Sequence, residues 1–203
     1  VDFMQGLGEN AGLISAVMLG LGLAASSGLN TFLPLLVLAS AAHFQVFGVQ
    51  LNGSFAWLAS DSALWALGIA AVAEVLGDKV PAVDHLLDMF GTVARPAAGA
   101  LAAASVFQGD PAQAAVLGLI VGAPTAFGFH AAKAGTRVGS SATTMGIGNP
   151  ILSTLEDIIA VGLTVLSILF PWLVPLLLLV LGFVLWRIIK AVKARWPRRT
   201  STA

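Results

Sequence analysis

Seven stretches of apolar sequence, each parted from the next by a few glycine, proline and polar residues, decide what this chain can become. They lie at 11–27, 31–47, 55–77, 97–107, 112–134, 150–170 and 173–189. Most reach or approach the ~20 residues that carry a helix across ~30 Å of hydrocarbon. Inside a bilayer only helices and closed barrels satisfy every backbone polar group. These runs are continuous and rich in Leu and Ala rather than alternating every second residue, which argues against a barrel. The expected fold is therefore all-α: a polytopic membrane helix bundle of about seven transmembrane segments.

Composition agrees. Of 203 residues, 58% are hydrophobic and 10% charged, where a soluble domain is nearer ~25% charged. A single integral domain over 1–203 is expected. Its parts are a first three-segment unit (11–77), a polar loop with a short linker segment (78–108), a second three-segment unit (111–190) and a basic tail (191–203). The start lacks the basic n-region and small-residue cleavage site of a secretory signal. There is no cysteine, which removes disulfides, thiolate metal sites and cysteine nucleophiles.

The weak member is 97–107, which at 1.5 Å per residue spans only about 17 Å. If it recruits 89–96 and all seven segments cross, every Lys and Arg falls on one side. Lys79, Arg95, Lys133 and Arg137 stand at one set of segment ends, with Arg187, Lys190, Lys193, Arg195, Arg198 and Arg199 in or near the tail. The opposite loops, "GVQLNGS" and "QGDP", carry none. That pattern favours a multi-pass protein with its C-terminus in the cytoplasm.

The 3+1+3 arrangement suggests an internal repeat with broken helices. The first break of each unit pairs glycine with asparagine, at Gly28-Leu29-Asn30 and Gly148-Asn149. Broken helices of this kind meet at the substrate sites of many transporters. Pro150 after Asn149 suits a helix start, and the Gly and Ala of the fourth and fifth segments permit close helix packing.

The polar residues fall where this scheme brings segment ends together. Asn149, Ser153, Glu156 and Asp157 are spaced i, i+4, i+7, i+8 and share one stripe of a helix. His130, Lys133 and Arg137 make a basic stripe on the helix before. Asp84 and Asp88 are one turn apart on a short helix between Pro81 and Gly91. Asn30, Asp78, Lys79 and Arg95 complete the set of candidate ion- or substrate-binding residues. Charge in hydrocarbon costs at least ~3 kcal/mol per residue and marks function by default. Pairing of Glu156 or Asp157 with Lys133 or Arg137 is expected. Asp61, Glu74 and His43 read as interfacial or satisfied polar groups.

Specific chemistries leave little trace. No P-loop or G-x-S-x-G elbow is present, and nothing points to nucleic acid. Asp84, Asp88, Glu156 and Asp157 are hard oxygen ligands that suit a divalent cation, with His85 and His130 available for a transition metal. The lysines and arginines of the same zone oppose that reading.

Together "GLNTFLPLL", "DKVPAVDHLLD", "TVARPAAGA", "FHAAKAGTR" and "GNPILSTLED" resemble a family of multi-pass bacterial inner-membrane proteins that is uncharacterised, a domain of unknown function. The similarity runs from about residue 22 to 171. It implies the membrane class and supplies no substrate. The expected function is a small transporter or channel-like permease for an ion or a small anionic or zwitterionic solute, with proton coupling through a carboxylate, as a monomer or homo-oligomer. The alternatives are an inner-membrane enzyme acting on a phosphorylated lipid head group and an assembly protein without chemistry.

Overall fold

The computed structural model of the chain describes residues 2–145 and 147–195. Among them are eight α-helices and no strand. These are α1 (Asp2–Leu29), α2 (Leu33–His43), α3 (Asp61–Gly77), α4 (Pro81–Val106), α5 (Pro111–Leu117), α6 (Ala123–Thr144), α7 (Asn149–Leu169) and α8 (Val174–Arg195). Short 3-10 turns, Gly53–Ala59 and Pro171–Leu173, precede α3 and α8. The chain is an all-α helical bundle.

Four helical stretches are long and apolar enough to cross a membrane: Ala11–Leu29, Pro111–Ser141, Asn149–Leu169 and Pro171–Ile188. Gly53–Ala59 with Asp61–Gly77 makes a fifth if that pair, bent by 62°, is one span. The bend falls at Ser60, whose hydroxyl accepts the Ala63 amide and starts α3. The second expected segment shrinks to the eleven residues of α2, too short to span alone, because the chain leaves helix at Asn30–Phe32 and again after His43.

The largest departure from expectation is α4. The polar stretch 78–96, expected as a loop with a short helix, is helical from Pro81 onward. It runs without a break through Pro96 into the apolar residues behind it. The 26 residues of α4 are about 39 Å long, so the linker segment no longer lacks length. Its charged first half sets it apart from the apolar spans. The basic tail also differs: residues 191–195 continue α8, while Arg198 and Arg199 lie outside the described residues.

Glycine and alanine set the packing. A Cβ on Gly122 would stand 2.3 Å from the Gly99 carbonyl oxygen, and one on Gly118 2.5 Å from that of Ala100. The helix α4 therefore lies backbone to backbone against a π-helical turn, Gly118–Gly122, that joins α5 to α6. Gly28 of α1 is pressed as closely on Ala126 of α6, and Gly22 on Ser167 of α7. Small residues at crossings are how helices approach in lipid. At one end of the bundle Asn52 seals the loops, its amide donating to the carbonyls of Phe107 and Gly109. At the other end α1, α3 and α6 finish and α4 and α7 begin.

Candidate site at the charged end of the bundle

The break between α1 and α2 organises this end. Leaving helix at Asn30 frees the amides that open α2 and the carbonyls that close α1. Asn30 Oδ1 accepts from the Phe32 and Leu33 amides at 3.1 and 2.9 Å. Glu74 of α3 takes the rest: its carboxylate accepts from the Thr31 amide at 2.9 Å, the Thr31 hydroxyl at 2.9 Å and the Phe32 amide at 3.2 Å. On the other side of the break the Lys133 ammonium donates to the Leu29 carbonyl at 2.8 Å. An anion thus sits on the positive end of α2 and a cation on the negative end of α1, as the helix dipoles favour.

From Lys133 the network spreads through α3, α6 and α7. Its ammonium, wholly buried, lies 3.2 Å from both Asp78 Oδ2 and Glu156 Oε2. Arg137, one turn on, reaches the same two oxygens at 3.1 and 2.9 Å. It also meets Asp84 of α4 and stands 3.8 Å from Asp88. The two stripes expected on neighbouring helices do face each other, and Glu156 holds both bases at once. Asp157 turns the other way: it accepts from Asn30 at 2.9 Å and from Lys79 at 3.3 Å. Lys79 also donates to the buried Ser153 hydroxyl at 3.1 Å.

Arg95 forms the second arm. No part of its side chain is exposed. One guanidinium nitrogen donates to His130 Nδ1 at 2.7 Å. The same nitrogen lies 3.6 Å from Asp88, and Nη2 lies 3.5 Å from Glu74. A guanidinium only donates, so Nδ1 is the acceptor and His130 is neutral with its proton on Nε2. That nitrogen faces the Thr92 hydroxyl at 3.3 Å, which donates to the Asp88 carbonyl. Gly91 leaves the room that Arg95 needs to fold back along α4, since a Cβ there would stand 3.1 Å from its Nε.

Of the residues expected to form the site, Asn30, Asp78, Lys79, Asp84, Asp88, Arg95, His130, Lys133, Arg137, Ser153, Glu156 and Asp157 are brought together. Asn149 is not. It is half-buried in the first turn of α7 and donates to the Ser141 hydroxyl at 3.0 Å, outside the charged cluster. Glu74, read from sequence as a satisfied polar group, is satisfied, but as a central member of the network. Its position four residues before Asp78 on one helix face is the signal for it. Thr31 and Thr92 join it. His43 and Asp61 stay apart, facing each other at 3.7 Å with the His43 ring on the Ala59 carbonyl. Among the described residues no group of three or more His, Asp or Glu is arranged to hold a metal ion. Asp84 and Glu156 both face Arg137, and the His85 side chain lies outside the described residues.

The model of one protein family, described as a domain of unknown function (DUF4126), matches residues 17–191. No curated protein and no solved structure matches the chain.

Proposed function

The chain belongs to the DUF4126 family, a domain of unknown function, and from its charged end we propose a small membrane permease for an ion or a small anionic or zwitterionic solute. The observation that carries this reading is a charge surplus. The network contains six carboxylates, from Glu74, Asp78, Asp84, Asp88, Glu156 and Asp157, against four fixed cations, from Lys79, Arg95, Lys133 and Arg137. His130 adds no charge. Carboxylates in surplus at a largely buried place draw in a proton or a small cation, which is the coupling event a permease needs. A broken helix with a charge on each of its exposed ends is the other support, being a recurrent feature of transporter sites.

Each of the four basic residues lies against at least one carboxylate, which disfavours the lipid-phosphate enzyme, where they would be turned to a phosphate. In this reading the charged end faces the cytoplasm of a bacterial inner membrane, because the lysines and arginines gather there. The test is reconstitution into proteoliposomes with a panel of ions and solutes under an imposed pH gradient. Saturable flux that Glu156→Gln abolishes supports the permease. No flux of any ion or solute, with Glu156→Gln indistinguishable from wild type, overturns it.

A further inference from the structure

The helix α3 is attached unlike its neighbours. Of its 17 residues only Ala71 and Glu74 are buried. Trp65, Ile69, Val72 and Leu76 face outward, and an apolar groove of about 690 Å³ runs between α3 and α2. Leu67 and Ala71 pack the middle of α3 on the bundle, and what ties its far end and the turn after it is charge. Glu74 sits on the amides of α2 and beside Arg95. Asp78 sits between Lys133 and Arg137. Lys79 sits on Ser153 and Asp157. Two carboxylates and one ammonium thus enter the network from the end of one loosely packed helix and the turn after it, and each lands on groups contributed by other parts of the bundle.

Taking that end of α3 away leaves a set of groups with a defined chemistry. The Thr31 amide and hydroxyl lose their acceptor, and the Phe32 amide keeps only Asn30. Arg95, wholly buried, carries no hydrogen bond on Nε or Nη2 even now, and Nη2 is the nitrogen 3.5 Å from Glu74. Together these form one anion position at the start of an 11-residue helix with a guanidinium beside it. Lys133 and Arg137, which keep Glu156 but lose Asp78, form a second. Asp157, with the Ser153 hydroxyl, forms a position for an ammonium.

We propose that the charged end of α3 is a tethered stand-in for the transported solute, and that the solute carries two acidic groups and one ammonium group. The solute enters as α3 swings out, replacing Glu74, Asp78 and Lys79 like for like, so the charge balance of the remaining network is unchanged. This rests on the permease reading and names its substrate class. An acidic amino acid and a phosphoserine head group share the chemistry, one from water and the other from lipid.

The experiment is equilibrium binding to the purified full chain. Labelled L-aspartate, L-glutamate and O-phospho-L-serine are the soluble probes, and nanodiscs with and without phosphatidylserine provide the lipid arm. Glu74→Gln weakens the tethered competitor while leaving an acceptor for the α2 amides. The expected result is saturable binding in wild type, at least about tenfold tighter in Glu74→Gln because the competing state is depopulated. Arg95→Lys, which keeps the charge and loses the fork, weakens it by a similar factor. Soluble probes binding in phosphatidylserine-free discs assign the solute to water. Binding of phosphatidylserine alone assigns it to lipid. No saturable binding of any probe by wild type or Glu74→Gln, both monodisperse, overturns the inference. If ion flux persists in that case, the permease reading survives it.

Discussion

The Asn30 side chain donates to the Asp157 carboxylate at 2.9 Å across 127 residues of chain, joining the break between α1 and α2 to the acidic face of α7. The same Asn30 holds the opening amides of α2 with its other atom, and the same carboxylate holds Lys79 from the turn after α3. A single amide therefore couples the broken helix to the loosely packed one. Asn30→Ala is expected to loosen both. In a protein without native cysteine, a cysteine introduced at Ser153 gives a clean readout: maleimide labelling should rise several-fold in the Asn30→Ala background, and equal rates would contradict the coupling.

Lys133 is a wholly enclosed cation, bounded by the Leu29 carbonyl, Asp78 and Glu156. Removing one partner of a buried ion pair leaves charge uncompensated, typically at ~3–5 kcal/mol. Lys133→Met should lower the thermal midpoint in detergent sharply. Adding Asp78→Asn should recover part of the loss, because Asp78 and Glu156 then no longer share Arg137 alone. Additive losses in the double variant would show that the two do not interact.

The neutral His130 follows from its bond to Arg95 and gives a spectroscopic prediction. Nitrogen NMR of labelled protein should show the Nε2–H tautomer. Gly91→Ala crowds the guanidinium by a few tenths of an ångström and should disturb that signal, at a stability cost of about 1–3 kcal/mol if the buried donors lose their acceptor. An unchanged imidazole signal would contradict the packing of Arg95 on Gly91.

The glycines divide into two groups. Gly122→Ala drives a Cβ into the Gly99 carbonyl, a backbone atom that cannot step aside, and should cost roughly 1–3 kcal/mol. Gly162 of α7 has open space where a methyl group would stand, with nothing within 4 Å. Gly162→Ala should therefore raise stability by about 0.5–1 kcal/mol through helix propensity. Thermal melts of the two variants in one detergent compare them directly.

Helical spacing alone makes the stripes of α6 and α7 legible in the sequence. The periodicity of His130, Lys133 and Arg137 and of Ser153, Glu156 and Asp157 survives whatever the helices pack against. The break at Asn30 is legible from its glycine and asparagine. The short helix between Pro81 and Gly91 is legible too, but its unbroken run through Arg95 and Pro96 into the apolar residues behind is not, because Arg95 looks like the end of a polar loop until Glu74 and His130 meet it from other helices. The weight of Glu74 is hidden for a related reason. Its role depends on the amides of Thr31 and Phe32, forty-odd residues away, and no local pattern announces that. Asn149 misleads in the opposite sense: it has the spacing of the stripe but lies in the first turn of α7, where the α6 end is nearer than the network.

The network is either a site or a lock, and one pair of residues separates the two. The double variant Arg137→Gln/Glu156→Gln removes one cation and one carboxylate together, so the charge balance that folding depends on is kept. In proteoliposomes under a pH gradient, the permease account predicts that this variant is folded, inserted and inactive, its ion or solute flux reduced to the rate of empty liposomes. Flux equal to wild type from the double variant would contradict the account and leave the buried charges with a purely structural part.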